Sequence, residues 1–494
     1  MRTIFVFVIL AGFWFRSVGL DWDEGQHLHP DERFLTMVES AIVPVCLADE
    51  TIGAPPEGCD EWGGYFDTKC SSLNPHNRGH GFFVYGTLPI FATRYLAEWT
   101  GETGYGSVHL VGRQLSALAD LLSIVLLYFI VARVYNKKVA LLSAALSAFA
   151  VLQIQQSHFF TVDTFVNLFM FLAIYFVVEI AFYRPKTSDS GLQTTEDELR
   201  NTQYAIRIFK IPLFWLSIGF GLALGMAVAS KINAAVLAAL LPAALLYHFY
   251  TPRSKNFSPS SDHRPLNTEN WTLNTDHWKL ITIALITGAL ASLVAFRIFQ
   301  PYAFSGPGFL GVLPNQTWVD NIASQRAQAS GDADLPFAFQ WARRSHLYSF
   351  ENLTKWGLGL PLGILAWAGF LLMGWRILKG ETKHLLLWGW TAAYFLWQSL
   401  QFNPTMRYQL PIYPLLAMMA AWVALRTYKS RFTQSALRIT GTIVLILTAL
   451  WAYAFVQIYQ QPHTRVAASR WIYNNVSAAV NLHITQGDGE RYQQ

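Results

Sequence analysis

Residues 114–182 decide the fold: QLSALADLLSIVLLYFIVA (114–132), RVYNKK (133–138), VALLSAALSAFAVLQIQQ (139–156), SH (157–158) and FFTVDTFVNLFMFLAIYFVVEIAF (159–182). About 20 apolar residues cross a hydrocarbon core as a helix, so three such runs joined by short connections predict consecutive membrane-crossing helices. Similar runs lie at 3–20, 212–229, 233–250, 278–299, 357–377, 384–401, 409–425 and 436–458. The expected architecture is an all-α polytopic membrane protein of about eleven transmembrane helices.

Composition agrees. The 494 residues are 53% hydrophobic and 14% charged, whereas soluble globular chains carry about 25% charged residues. This excludes disorder, a collagenous or disulfide scaffold and nearly every soluble enzyme fold. A net charge of +5 needs no nucleic acid, because cytoplasmic loops of membrane proteins are rich in Lys and Arg. The odd set Cys46, Cys59 and Cys70 leaves at most one bridge.

Orientation follows from loop charge. Residues 82–98 (FFVYGTLPIFATRYLAE) are apolar but carry Gly86, Pro89 and Arg94. If they lie on the outer surface or re-enter, then Arg133, Lys137, Lys138 and the cation-bearing stretches 183–211, 251–277, 378–383 and 426–435 all face the cytoplasm. If they span, every later loop inverts against the positive-inside rule. The expectation is therefore an inside N-terminus, read as an uncleaved anchor, and an outside C-terminus. Residues 1–459 form the membrane module, with outer loops at 21–113 and 300–356. Residues 460–494 form an outer tail, with Val466, Trp471 and Ile472 on one helical face; it stops without a domain's worth of core, as if a longer natural protein continued. The polar loops 183–211 and 251–277 are expected to be flexible. The aromatics Trp318, Trp341, Tyr348 and Trp356 read as interfacial anchors.

The outer face collects the unusual residues. Between Asp21 and Asp67 lie twelve of the 31 acids and a single cation, Arg33. Asp49, Glu50, Glu57, Asp60 and Glu61 read as a solvated loop. Asp31 and Glu32 differ, because Pro30 precedes them and an apolar pattern (Phe34, Leu35, Val38) follows, so they open a helix. Acids there also suit the helix dipole. In an extended chain, His27, His29 and Asp31 have the spacing to hold a divalent cation, without a fourth ligand in sequence. His158 and Asp163 lie at the outer mouth of consecutive spans, and an acid within a span is costly and usually functional. Arg94, Arg113, Lys231 and Arg407 mark outer helix ends and suit a phosphate at the bilayer surface; singly, each is also an ordinary snorkelling anchor.

HPDERFLTMVESAI, YGTLPIFATRYLAE and GRQLSALADLLSIVLLYFIVARVYNKKVALLSAALSA, taken in this order, resemble the polyprenyl-phosphate-sugar-dependent glycosyltransferases of the GT-C fold. That group includes protein O-mannosyltransferases, lipid A aminoarabinose transferase and bacterial family 39 members. The likeness covers about residues 20–250 and 400–475. The family's Pro-Pro-Leu segment has Leu88 at its first Pro here, and HxHPDE is an atypical lead-in. The resemblance implies an outward-facing membrane enzyme; its compact loops favour a bacterial inner membrane over endoplasmic reticulum. It would move a sugar from a polyprenyl-phosphate donor to a lipid, glycan or protein acceptor. Asp31 is implied as the base, with Glu32 or Asp163 orienting the acceptor or a cation. Arg94, Arg113, Lys231 and Arg407 are implied at the donor phosphate, and His29, His158 and Tyr408 in orienting the acceptor. No P-loop or Rossmann fingerprint is present; no cofactor is required by the reading, and a divalent metal is compatible with it. Membrane lipids are the expected surroundings. A lipid flippase or transporter, or a non-catalytic assembly subunit, are the competing readings.

Overall fold

The computed structural model describes residues 1–44, 53–183, 212–251, 275–333, 335–428, 430–476, 482–486 and 489–493. Cys46, Asp49, Glu50 and most of the two polar loops 183–211 and 251–277 lie outside the described residues. Helix α1 (Arg2–Ser17) is followed by α2 (Pro30–Ala41) and α3 (Thr87–Thr100) within the first long loop. Next come α4 (Val108–Val134), α5 (Lys137–Ala148), α6 (Val151–Ser157), α7 (Val162–Ala181) and α8 (Pro212–Ser230). A 3₁₀ segment (Ile232–Ala239) leads into α9 (Leu240–Tyr250), then α10 (Thr275–Phe299) and α11 (Gln316–Ser330). The chain continues through α12 (Tyr348–Asn352), α13 (Leu360–Leu378), α14 (Leu385–Ser399), a 3₁₀ turn (Met406–Ile412), α15 (Tyr413–Leu425), α16 (Arg431–Val456) and α17 (Thr464–Asn475). A two-stranded hairpin pairs Leu482–Gln486 with Gly489–Gln493.

Each of the eleven apolar runs is largely helical, and the chain is an integral multi-pass membrane protein. Among the described residues, eight helices are long and apolar enough to cross a membrane, or nine when the pair α5 and α6, bent by 58°, counts as one span. The count of eleven is not reached because α1 and α14 have only 16 and 15 residues. Sixteen residues rise about 24 Å, short of the roughly 30 Å hydrocarbon core. Of the 82–98 stretch, residues from Thr87 onward belong to the 14-residue α3, again below spanning length.

Two packing units matter for the site. The main bundle core runs through α4, α5, α7, α8, α13 and α15, whose Leu, Ala, Met and Phe side chains are buried against one another. A second, smaller core gives the first loop its own rigidity: Leu35, Val38 and Ile42 of α2 meet Ile90 and Phe91 of α3, together with Leu73, Phe83, Phe160, Val162 and Tyr302. Cys59 and Cys70 form a disulfide within that loop, which fits the limit of one bridge set by the cysteine count.

Candidate functional site

Helix α2 begins as its sequence dictates. Pro30 occupies the first helical turn, and the His29 side chain accepts a hydrogen bond from the Glu32 amide at 3.3 Å, capping the N-terminus. The two adjacent acids then point to different environments.

Glu32 turns inward. Arg113 Nε donates to its Oε2 at 3.0 Å, Arg113 Nη2 donates to its Oε1, and the Phe160 amide donates to Oε2 at 2.7 Å. Arg113 also donates to Asp23 Oδ1 at 2.9 Å and to the Leu20 carbonyl at 2.6 Å. The side chains of Arg113, Glu32 and Asp23 are all 0% exposed, and Trp22 lies 5.0 Å from the guanidinium. Burial pushes the Asp23 carboxyl up, but Arg113 and the Leu28 amide outweigh it and hold it below the usual carboxylate range. In Glu32 burial prevails over Arg113 and lifts it. This knot ties the exit of α1, the start of α2, the top of α4 and the turn before α7 into one rigid corner. Gly112 permits it, since a Cβ there would stand 2.2 Å from the Phe160 ring.

Asp31 faces a cleft instead. Its Oδ2 accepts a hydrogen bond from Arg407 Nη1. Beside it, Lys231 Nζ donates to Asp163 Oδ1 at 2.6 Å. Tyr408 joins the two pairs: its ring lies 4.4 Å from Lys231 Nζ and 5.4 Å from the Arg407 guanidinium carbon. Asp163, Lys231, Arg407, Tyr408, Tyr394 and Gln398 line a cavity of about 20 Å³, room for one water. The pairs reach solvent: Asp31 and Arg407 are 25% and 29% exposed, and Lys231 is 23% exposed. His29 stacks on Phe159 at 4.4 Å. Burial drives its pKa down against the opposing pull of Asp31, so the imidazole is neutral at pH 7. The nearby Tyr85 hydroxyl is pushed up by burial and by Asp31.

Gly86 positions this cleft from the α3 side. Its amide donates to the Ser230 carbonyl at 3.2 Å, and a Cβ there would fall 2.0 Å from the Ala229 carbonyl oxygen. The start of α3 is thereby docked on the turn that carries Lys231.

The structure thus brings together Asp31, His29, Asp163, Lys231, Arg407 and Tyr408, and sends the other sequence candidates elsewhere. Arg94 is 5% exposed, bound to Glu98 at 2.9 Å and to the Glu39 carbonyl at 2.7 Å. His158 is buried between the Ile154 and Val18 carbonyls at 2.8 and 2.9 Å and stacks on Tyr459 at 3.8 Å. His27, His29 and Asp31 do not converge as metal ligands among the described residues. The backbone between them is not extended: His27 has φ +48° and its ring packs on His109, 4.6 Å away. Sequence reading overlooked Asp23, Tyr85 and Tyr394. It also missed a fully buried ion pair, Arg16 with Asp120 at 2.7 Å, joined by Gln153 at 3.1 Å. Its signal was available, since both charges stand inside apolar runs.

With this geometry in view, the likenesses to known proteins are informative. The sequence profile of the family described as dolichyl-phosphate-mannose-protein mannosyltransferase matches residues 103–188, which run through α4 to α7. No curated protein sequence matches the chain. The oligosaccharyltransferase of Archaeoglobus fulgidus, in its apo form, superposes with a TM-score of 0.55 at 13% identity, over 96% of this chain and 58% of that one. ArnT of Cupriavidus metallidurans, also apo, gives a TM-score of 0.53 at 16% identity, over 96% and 78%. The archaeal protein, AglB, has also been solved with an inhibitory peptide and a dolichol-phosphate, at TM-score 0.53, 14% identity, and 96% and 58% coverage. The chain therefore has the GT-C membrane-protein fold that its sequence suggested. It spans 58% of the length of the archaeal oligosaccharyltransferase.

Proposed function

We propose that this protein is a membrane glycosyltransferase that moves a sugar from a polyprenyl-phosphate donor to an acceptor hydroxyl on the outer face of a bacterial inner membrane. One observation carries the reading: two carboxylate–cation pairs, Asp31 with Arg407 and Asp163 with Lys231, meet at one partly exposed cleft. The fold is shared with proteins solved in complex with a peptide and a dolichol-phosphate.

Each cation is neutralised by a neighbouring acid in the resting site. A donor phosphate entering the cleft draws Lys231 and Arg407 toward its oxygens, because charge-assisted bonds to phosphate are strong and Arg can bind two oxygens at once. Arg407 then leaves Asp31 free to accept a proton. The acceptor O–H gives that proton to Asp31 as its oxygen attacks the anomeric carbon. The bond from that carbon to the phosphate oxygen breaks, and its electron pair leaves on the phosphate, where Lys231 and Arg407 stabilise the growing charge. A single displacement inverts the configuration. Asp163 holds Lys231, while neutral His29 and Tyr408 orient the acceptor. Arg113 and Glu32, fully enclosed, act by positioning α2, and Arg94 and His158 by fixing α3 and α6.

The test is transfer of radiolabelled sugar from a panel of synthetic polyprenyl-phosphate sugars to membrane extract, by the wild type and by Asp31→Asn. Transfer by the wild type alone is expected. Transfer by both moves the base away from Asp31, and no transfer by a folded protein that binds lipid phosphates favours a flippase.

A further inference from the structure

Apart from this cleft, the first loop gathers a second group of side chains. Asp21, Asp23 and His109 each offer a ligand atom, and those atoms lie within 4.8 Å of one another. Asp21 and Asp23 come from the exit of α1, and His109 from the first turn of α4.

The histidines are what distinguish this group from an ordinary acidic loop. His109 is fully buried, and neither of its ring nitrogens has a hydrogen-bond partner. His27 is 4% exposed, and its two nitrogens are equally unpartnered. Its ring stands 4.6 Å from that of His109. A buried polar atom left unsatisfied is destabilising, so four such nitrogens in one corner call for a ligand. A neutral imidazole is the form that binds metal.

We infer that Asp21, Asp23 and His109, with His27 packed against His109 beside them, form a binding site for a divalent cation. Two carboxylates and an imidazole, with a second imidazole beside them, favour a borderline ion such as Zn²⁺ or Co²⁺ over Mn²⁺, Ca²⁺ or Mg²⁺, which suit all-oxygen shells. Asp23 uses Oδ1 for Arg113 and Oδ2 for the Leu28 amide, yet a carboxylate has about four lone-pair directions, so it can serve both. Asp21 is exposed and gives the ion a path from solvent. Because Asp23 also holds Arg113, which holds Glu32, a bound ion stiffens the corner on which α2 stands. It is separate from the Asp31 cleft and supplies no step there.

The experiment uses the full chain, purified in detergent, stripped with a chelator and titrated with Zn²⁺. Saturable uptake of one equivalent with a rise in Tm is expected. Asp21→Asn, an exposed change that leaves the core intact, weakens binding by roughly tenfold or more, and His109→Gln does the same. Asp31→Asn binds as the wild type does, so the result stands or falls apart from sugar transfer. Co²⁺ substitution reads the nitrogen ligand directly, since His109→Gln alters its visible bands. Absence of one-equivalent uptake, or uptake unchanged in both Asp21→Asn and His109→Gln, overturns the inference.

Discussion

Arg407 donates its Nη1 to the carboxylate of Asp31 across 376 residues of chain. One partner opens the helix of the first loop, and the other sits in the 3₁₀ turn before α15. Alongside the Lys231–Asp163 pair, they give the cleft two negative and two positive groups that neutralise one another at rest. In the proposed reaction an anion entering it competes for the cations, and that exchange unmasks a base.

The two kinds of residue separate kinetically. Asp31→Asn lowers kcat by roughly 10²–10⁴-fold with little change in the KM for the donor. Arg407→Ala and Lys231→Ala each remove a charge-assisted contact of about 1.5–3 kcal/mol, which raises donor KM some tenfold to a hundredfold and also lowers kcat, because the same cations hold the leaving phosphate. Steady-state kinetics with a synthetic donor read the split. A Lys231→Ala protein with unaltered donor KM removes Lys231 from the phosphate.

Arg113→Ala leaves Glu32 and Asp23 buried without their partner. Breaking a buried pair this way costs about 3–5 kcal/mol, so the variant loses its folded first loop while Asp31→Asn keeps it. Limited proteolysis of the 21–113 loop and thermal melting in detergent make the comparison; equal melting of the two variants contradicts the positioning role.

The buried Arg16–Asp120 pair behaves alike when broken and differently when replaced. Asp120→Asn destabilises by about 3–5 kcal/mol, whereas joint replacement by Met and Leu is close to neutral. If the double variant melts no higher than Asp120→Asn alone, the pair contributes more than mutual neutralisation.

Glu39 of α2 sets a pH dependence. It is fully buried with neither carboxylate oxygen bonded, and burial raises its pKa well above 4.5 despite Arg94. The folded state therefore keeps a proton that the unfolded chain releases above about pH 4.5, and stability falls as pH rises through that window. Glu39→Gln removes the effect. The difference in Tm between Glu39→Gln and wild type widens from pH 5 to pH 8; a constant difference rules the titration out.

The spans were legible because lipid imposes one rule, apolar length, on a helix read locally. The shortfall in their number reflects α1 and α14, whose hydropathy runs outlast their helical residues. Asp31, Asp163, Lys231 and Arg407 stood out as charges at helix ends, each for a local reason. Their pairing was not legible, because partners 68 and 376 residues apart meet only through bundle topology. For the same reason Arg113 looked like an outer cation when it is the buried centre of a knot. His27 and His29 looked like one ligand pair until the positive φ of His27 turned its ring toward α4.

The Cys59–Cys70 bridge has a further consequence for how this chain lies in a cell. Cystines persist in the periplasm or in an organelle lumen and are reduced in cytosol. A covalent staple inside the 21–113 loop therefore serves as a compass for the whole chain: wherever it survives extraction under thiol-blocking conditions, that loop was folded on the oxidising side. In that outcome the Asp31 cleft, built on the same loop, faces that compartment with it.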